Sequence, residues 1–326
     1  MRNLLTILLI ILFTTVTNAE VIKPNKKVLI SQFVKHPALD ITTKGIIDGL
    51  AQEGYKTDIN LELRVESAQA NSALAQQIAN KFVNQNSDIV VGVATISAQS
   101  FMKFAKENKV RLIFSTVTDP VKASLVNNLE QPGGNVSGVS NFVELRPQLE
   151  LFVKIQPKLK RLGFLYNPGE LNSISLIERL ETLCPKLGIT LVKQMVSKTS
   201  DVSQAATKLA ANVDAIFISN DNTALGALQT IISTANKEKI PVYVSDTDAV
   251  KLGALAALGP NQYQVGLQTG KMISKVLDGK DIGNMAIEFP ETTDLYINEE
   301  AANLLQLNIL DDIRKSATKI ISKSNL

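Results

Sequence analysis

The chain has no tryptophan, a single cysteine (Cys184) and a single histidine (His36) in 326 residues, and its only aromatics are eleven Phe and five Tyr. One cysteine cannot form an internal disulfide, and Cys184 is expected as a small buried hydrophobe. One His and one Cys far apart in sequence make no zinc site, and no metal or cofactor is expected. No GxSxG elbow occurs, and a lone histidine is thin support for a Ser-His-acid triad, which counts against an enzyme. Charge of one sign is also lacking. The formal net charge is +3, falling by one if a leader containing Arg2 is removed, which is too near neutral to imply nucleic acid or an anionic membrane as partner.

Long apolar runs are missing after the first few residues. The opening "MRNLLTILLIILFTTVTNAEV" has a basic start at Arg2, an apolar run from Leu4 to Phe13, and small residues Thr17 and Ala19 spaced for cleavage. It reads as a secretory signal cut after Ala19 (residues 1–19). Its apolar stretch is shorter than the roughly 20 residues needed to cross a bilayer. No cysteine follows the cut, so the product is expected free in a periplasm-like compartment, without a lipid anchor. The absence of a second spanning run also argues against a membrane-tethered receptor.

What is present is a βα rhythm, told twice. "KKVLISQF" reads as a strand and "DITTKGIIDGLAQEGY" as a helix, followed by further strand and helix pairs to about residue 120. The order returns from "LKRLGFLYNPGE" through "SISLIERLETLCPKLGI" to "IPVYVSDTD", and the interval from Asp88 to Asp119 nearly equals that from Asp214 to Asp246. A long unit occurring twice means two similar α/β lobes rather than a solenoid. The fold expected is a pair of Rossmann-like parallel-sheet lobes. Residues 27–141 with 258–289 form the first, residues 142–257 with 290–320 the second, and three chain links between them make a hinge. The basic ending "RKSATKIISKSNL" is read as a solvated tail, with contact to a membrane or membrane protein as the alternative.

Ligands of open parallel sheets bind where the strands end. Six strand-end loops are expected at one cleft: "QFVKHPALD", "VATISAQS", "STVTDP", "YNPGELNS", "ISNDNTAL" and "VSDTDAV". They are rich in Ser, Thr, Asn and Asp, which equally serve as helix caps. Helix N-termini nevertheless hold carboxylates without an arginine. On that basis Thr95, Ser97 and Gln99, with Thr118, are candidate partners of a ligand carboxylate. Asp246 is the candidate for an ammonium, with Asn220 and Asn222 as neutral partners. Asn167, Glu170 and Asp119 are further candidates, although Asp119 and Asp221 equally suit caps or turns. His36 either meets the ligand, tunes the site by its charge, or is a hydrogen-bonded helix-entry residue. With no Trp and few aromatics in the loops, a sugar ligand is less favoured. With Lys35 the only cation in them, a phosphate or nucleotide is less favoured again.

The segments "HPALD", "STVTDPV", "NLEQPGGNVSGVSNF", "LGFLYNPGE" and "VYVSDTDAVKLGALAALGPNQYQVGLQTGKM", in this order, resemble the substrate-binding proteins of an ABC-type importer family with the type I periplasmic-binding fold. The resemblance runs from about residue 27 to about residue 318. It implies capture of a small solute and delivery to an inner-membrane permease, for which a monomer is expected. Several members of the family bind aromatic amino acids, which makes a small amino acid the expected ligand and a sugar or nucleoside the alternative.

Overall fold

The computed structural model describes residues 23–322; the signal sequence read at residues 1–19 and the last four residues lie outside the described part. The first sheet is built from β1 (Lys26–Gln32), β2 (Leu61–Ser67), β3 (Ile89–Val93), β4 (Leu112–Ser115) and β5 (Val136–Val139), in the order β2-β1-β3-β4-β5. All its pairings are parallel. Helices α1 (Pro37–Gln52), α2 (Ser72–Val83) and α3 (Thr95–Lys106) link the strands. The central strands read as continuous apolar runs because both sheet faces are covered: "IVVGV" of β3 and "LIFS" of β4 are buried throughout.

The second lobe starts with α4 (Leu145–Ile155) and repeats the pattern. Strand β6 (Arg161–Tyr166) leads to α5 (Leu171–Leu183), β7 (Thr190–Met195) to α6 (Val202–Ala210), and β8 (Ala215–Ile218) to the short α7 (Asn222–Leu225) and α8 (Leu228–Lys237). Strands β9 (Val242–Val244) and β10 (Ala256–Pro260) follow. The chain then crosses to the first lobe for α9 (Gln262–Leu277) and returns for β11 (Thr293–Asn298), α10 (Glu299–Leu304), α11 (Asp311–Ser316) and β12 (Lys319–Ile321). The seven strands lie in the order β12-β11-β10-β9-β8-β6-β7, with β11 antiparallel to β10.

Helix α9 belongs to the first lobe because glycines on both sides let it lie against α1. A Cβ at Gly266 would stand 2.2 Å from the Thr42 carbonyl oxygen, closer than atoms can approach. Its apolar face, Val265, Met272, Ile273 and Val276, joins the first-lobe core.

Two expectations change at the C-terminal side. Residues 258–260, expected in the first lobe, complete β10 and pair with 293–295 of the second sheet, so the crossing falls at Asn261. The basic ending is no solvated tail over its described length. Ile321 is buried, Arg314 pairs with Glu299, and β12 adds to the sheet edge beside β11. The three residues Lys319–Ile321 were too short a run for their sheet pairing to show in sequence.

The lobes are linked three times: between β5 and α4, at Asn261, and after the bridge of Glu288 to Val139. The parallel strands of both lobes end at the cleft between them. Among the described residues no helix is long and apolar enough to cross a membrane.

Candidate functional site

The strand-end loops enclose a cavity between the lobes, with about 360 Å³ of atom-free space counted out to its mouth. It is narrow, because side chains of the two lobes already touch across it. His36, Ala38, Leu39, Ala94, Thr95, Thr116 and Thr118 line it from the first lobe. The second lobe supplies Asn172, Asn220, Asn222, Leu225 and Asp246, and the links between the lobes supply Asn141 and Gln262.

Two helices of the first lobe begin at this cavity without a side-chain cap. The α1 cap residue is His36, followed by Pro37, and the α3 cap residue is Ala94. Other helices, such as α2 at Asn71 and α9 at Asn261, are capped by an Asn side chain. The first-turn N–H groups of α1, where Pro37 contributes none, and of α3 are therefore open to a ligand, with the partial positive charge of a helix start behind them. Ala94 holds φ 77° and ψ 159°, and Thr116 holds φ 56°. Both are costly for residues with a Cβ, by roughly 1–3 kcal/mol each, and such strain collects at ligand sites.

The second-lobe wall is acidic. Asp246 is buried, and among the described residues its carboxylate accepts one hydrogen bond, from the Asp248 N–H at 3.2 Å. Burial, aided by the neighbouring Asp248 charge, pushes its carboxyl up to about 7. Behind the wall stand Glu170 and Asp221, also buried. Glu170 accepts from the Asn222 and Thr223 N–H groups, both at 3.0 Å, from Asn222 Nδ2 at 2.6 Å and from Thr223 Oγ1 at 2.9 Å. Asp221 caps α7 through the Ala224 N–H and accepts from the Asn167 N–H and Ser173 Oγ. Burial and the nearby Glu170 charge push Asp221 up to about 7.

Direct contacts bridge the lobes. Asn220 Nδ2 donates to Thr118 Oγ1 at 3.2 Å, and His36 Nε2 lies 3.3 Å from Asn222 Oδ1. Since Asn222 Nδ2 donates to Glu170, its Oδ1 is the acceptor, which assigns the proton to His36 Nε2. Burial lowers the His36 pKa against the pull of that hydrogen bond, so the ring is neutral near pH 7. At the rim, Asp119 accepts from Ser175 Oγ at 2.8 Å and Arg179 Nη2 at 3.4 Å, while Lys122 pairs with Glu178. Asp119 and Lys122 follow β4 of the first lobe, and their partners share one face of α5 in the second.

Of the residues expected from sequence, His36, Thr95, Thr118, Asn220, Asn222 and Asp246 line the cavity together. The other five stand back from it. Ser97 is buried against Ser31, and Gln99 donates to the Ala123 carbonyl. Asn167 closes a turn with Gly169 and reaches Thr223. Glu170 is taken up by α7, and Asp119 by the rim contacts. Asn141, Asn172 and Gln262 were missed. Asn141 and Gln262 lie on the links themselves, and a signal was available in that chain crossing between lobes must run along the cleft floor.

A cleft of this kind between two doubly wound lobes is shared with known proteins. The family described as ABC transporter substrate binding protein matches residues 27–321. A tyrosine-binding protein of Clostridioides difficile (strain R20291) is 35% identical over 288 residues, covering 88% of this chain and 83% of that protein. The structure of an ABC domain in complex with L-Trp from Streptococcus pneumonia is 34% identical, with a TM-score of 0.88, over 91% of this chain and 100% of the other. The ligand-free, open structure of a substrate-binding protein with adhesive properties from Clostridium difficile, 32% identical over the same shares, superposes less well, with a TM-score of 0.69. That difference accompanies the direct lobe-to-lobe contacts described above. Fold, cleft and sequence match agree, and the chain belongs to the ABC transporter substrate-binding protein family.

Proposed function

We propose that this chain captures an aromatic α-amino acid, of the tyrosine or tryptophan kind, in the inter-lobe cavity and delivers it to an inner-membrane permease. The observation that carries the reading is the polarity of the cavity. Uncapped helix starts and Thr95 on the first lobe offer donors to a carboxylate. Asp246 on the second offers an acceptor to an ammonium. A zwitterion satisfies both walls at once and draws the lobes together. Leu39, Leu225, Ala38 and Ala94 supply apolar surface, and among the described residues no Phe or Tyr ring lines the cavity for stacking on a sugar. The aromatic side chain is supported by the relatives named for tyrosine and bound to L-Trp.

In this reading Thr118, Asn220, Asn222 and His36 are further ligand contacts, and the protein works as a monomer in the periplasm after cleavage behind Ala19. The test is a thermal-unfolding screen of the refolded, ligand-free mature chain against the twenty amino acids, common sugars and nucleosides. A ligand at 100 times its Kd adds about 2.7 kcal/mol, a shift of roughly 4 °C for a chain of this size. Shifts confined to Tyr, Trp or Phe are expected. A shift with a sugar or nucleoside and with no amino acid refutes the ligand.

A further inference from the structure

Asn172, the second residue of α5, lines the cavity and is 4% exposed. Its Nδ2 donates to the Asn220 carbonyl at 2.5 Å and to Glu170 Oε2 at 3.2 Å. Its Oδ1 is buried and accepts nothing from the protein. The orientation of this amide is forced: turning it over would press Oδ1 against a carbonyl and a carboxylate, both acceptors only. A buried carbonyl oxygen left without a donor costs free energy until something supplies one.

We propose that Asn172 Oδ1 accepts a hydrogen bond from the ligand's ammonium and, with Asp246, forms the ammonium subsite of the second lobe. The inference rests on the amino-acid reading and assigns the polarity of that site residue by residue. An ammonium carries three N–H donors, more than the outward face of one carboxylate takes up. It is also the group that suits this part of the wall, since Asp246 is buried there with Glu170 and Asp221 behind it, and a ligand carboxylate brought against Asn172 Oδ1 and Asp246 would meet an amide oxygen and a carboxyl group instead of a free donor. The amide therefore selects a free amino group and disfavours an N-acylated or deaminated analogue.

The test is calorimetric titration of L-tyrosine and L-tryptophan into the ligand-free mature chain and into Asn172→Ala and Asn172→Asp. Losing a hydrogen bond to a charged group should weaken binding by about tenfold or more in Asn172→Ala. In Asn172→Asp the new carboxyl, buried beside Glu170, is held neutral, donates to the Asn220 carbonyl and keeps a carbonyl oxygen toward the ligand, so most of the loss should be recovered. With Asp246→Asn added, the losses should combine to less than their sum, because both residues hold one group. Wild-type affinity in Asn172→Ala, or an equal loss in Asn172→Asp, overturns the assignment while leaving the amino-acid reading in place. A wild-type chain that binds no amino acid overturns both.

Discussion

Glu170 tests most sharply whether an acidic residue at this cleft serves the ligand or the fold. It is 1% exposed, and its two oxygens accept five hydrogen bonds from Asn172, Asn222 and Thr223, two of them from the backbone of the first turn of α7. Glu170→Ala leaves these donors buried around a small void. At about 1–3 kcal/mol for each orphaned group, and with water entering to satisfy some of them, a loss of roughly 3–5 kcal/mol is expected. A part is returned, because Asp221 no longer shares its burial with a second charge. The net, about 3 kcal/mol, corresponds to a melting temperature lower by roughly 5 °C. Glu170→Gln keeps the volume and one acceptor oxygen but turns an NH₂ toward donors, so it should fall between wild type and Ala. Circular dichroism melts of the three ligand-free proteins measure this. A Glu170→Ala variant that melts with wild type yet fails to bind would make Glu170 a ligand contact and refute its structural role.

The raised Asp246 pKa has a definite sign. A carboxyl pushed to about 7 in the fold from an ordinary value near 3.8 takes up a proton on folding, so its contribution to stability falls as pH rises from about 4 to 7. His36, lowered by burial, acts oppositely below its ordinary 6.5, so the comparison is with Asp246→Asn, whose ligand-free melting profile between pH 5 and 8 should be displaced toward higher stability at the alkaline end. An unchanged profile contradicts the burial argument. An ammonium ligand favours the ionised Asp246, so the affinity of wild type should rise through the same interval, and calorimetry at pH 5.5 and 8 checks it. The rim pairs of Asp119 with Arg179 and Lys122 with Glu178 join the lobes without lining the cavity. Arg179→Ala should weaken every ligand by one common factor of a few fold, since it lowers the closed fraction alone; factors that differ between ligands would place Arg179 in the site.

Two lobes, their βα order and the six strand-end loops were legible in the sequence because each rests on local patterning: buried parallel strands read as apolar runs, and polar cap residues follow them. The position of His36, Thr95 and Asp246 at the cavity could be read for that reason. Whether an Asn, Asp or Glu in such a loop faces the ligand or its own lobe is decided by which donors the fold brings to it. Glu170 and Asn172 stand two residues apart, yet the first is consumed by α7 and the second keeps a free acceptor. Four of the five donors to Glu170 come from Asn222 and Thr223, about fifty positions away, and no local pattern records them. The rim contacts of Asp119 and the seating of β12 likewise depend on long-range packing. Local periodicity thus determined the elements and the end of each lobe that carries the site, while the tertiary structure decided which of the polar side chains there remain unsatisfied and so available to a ligand.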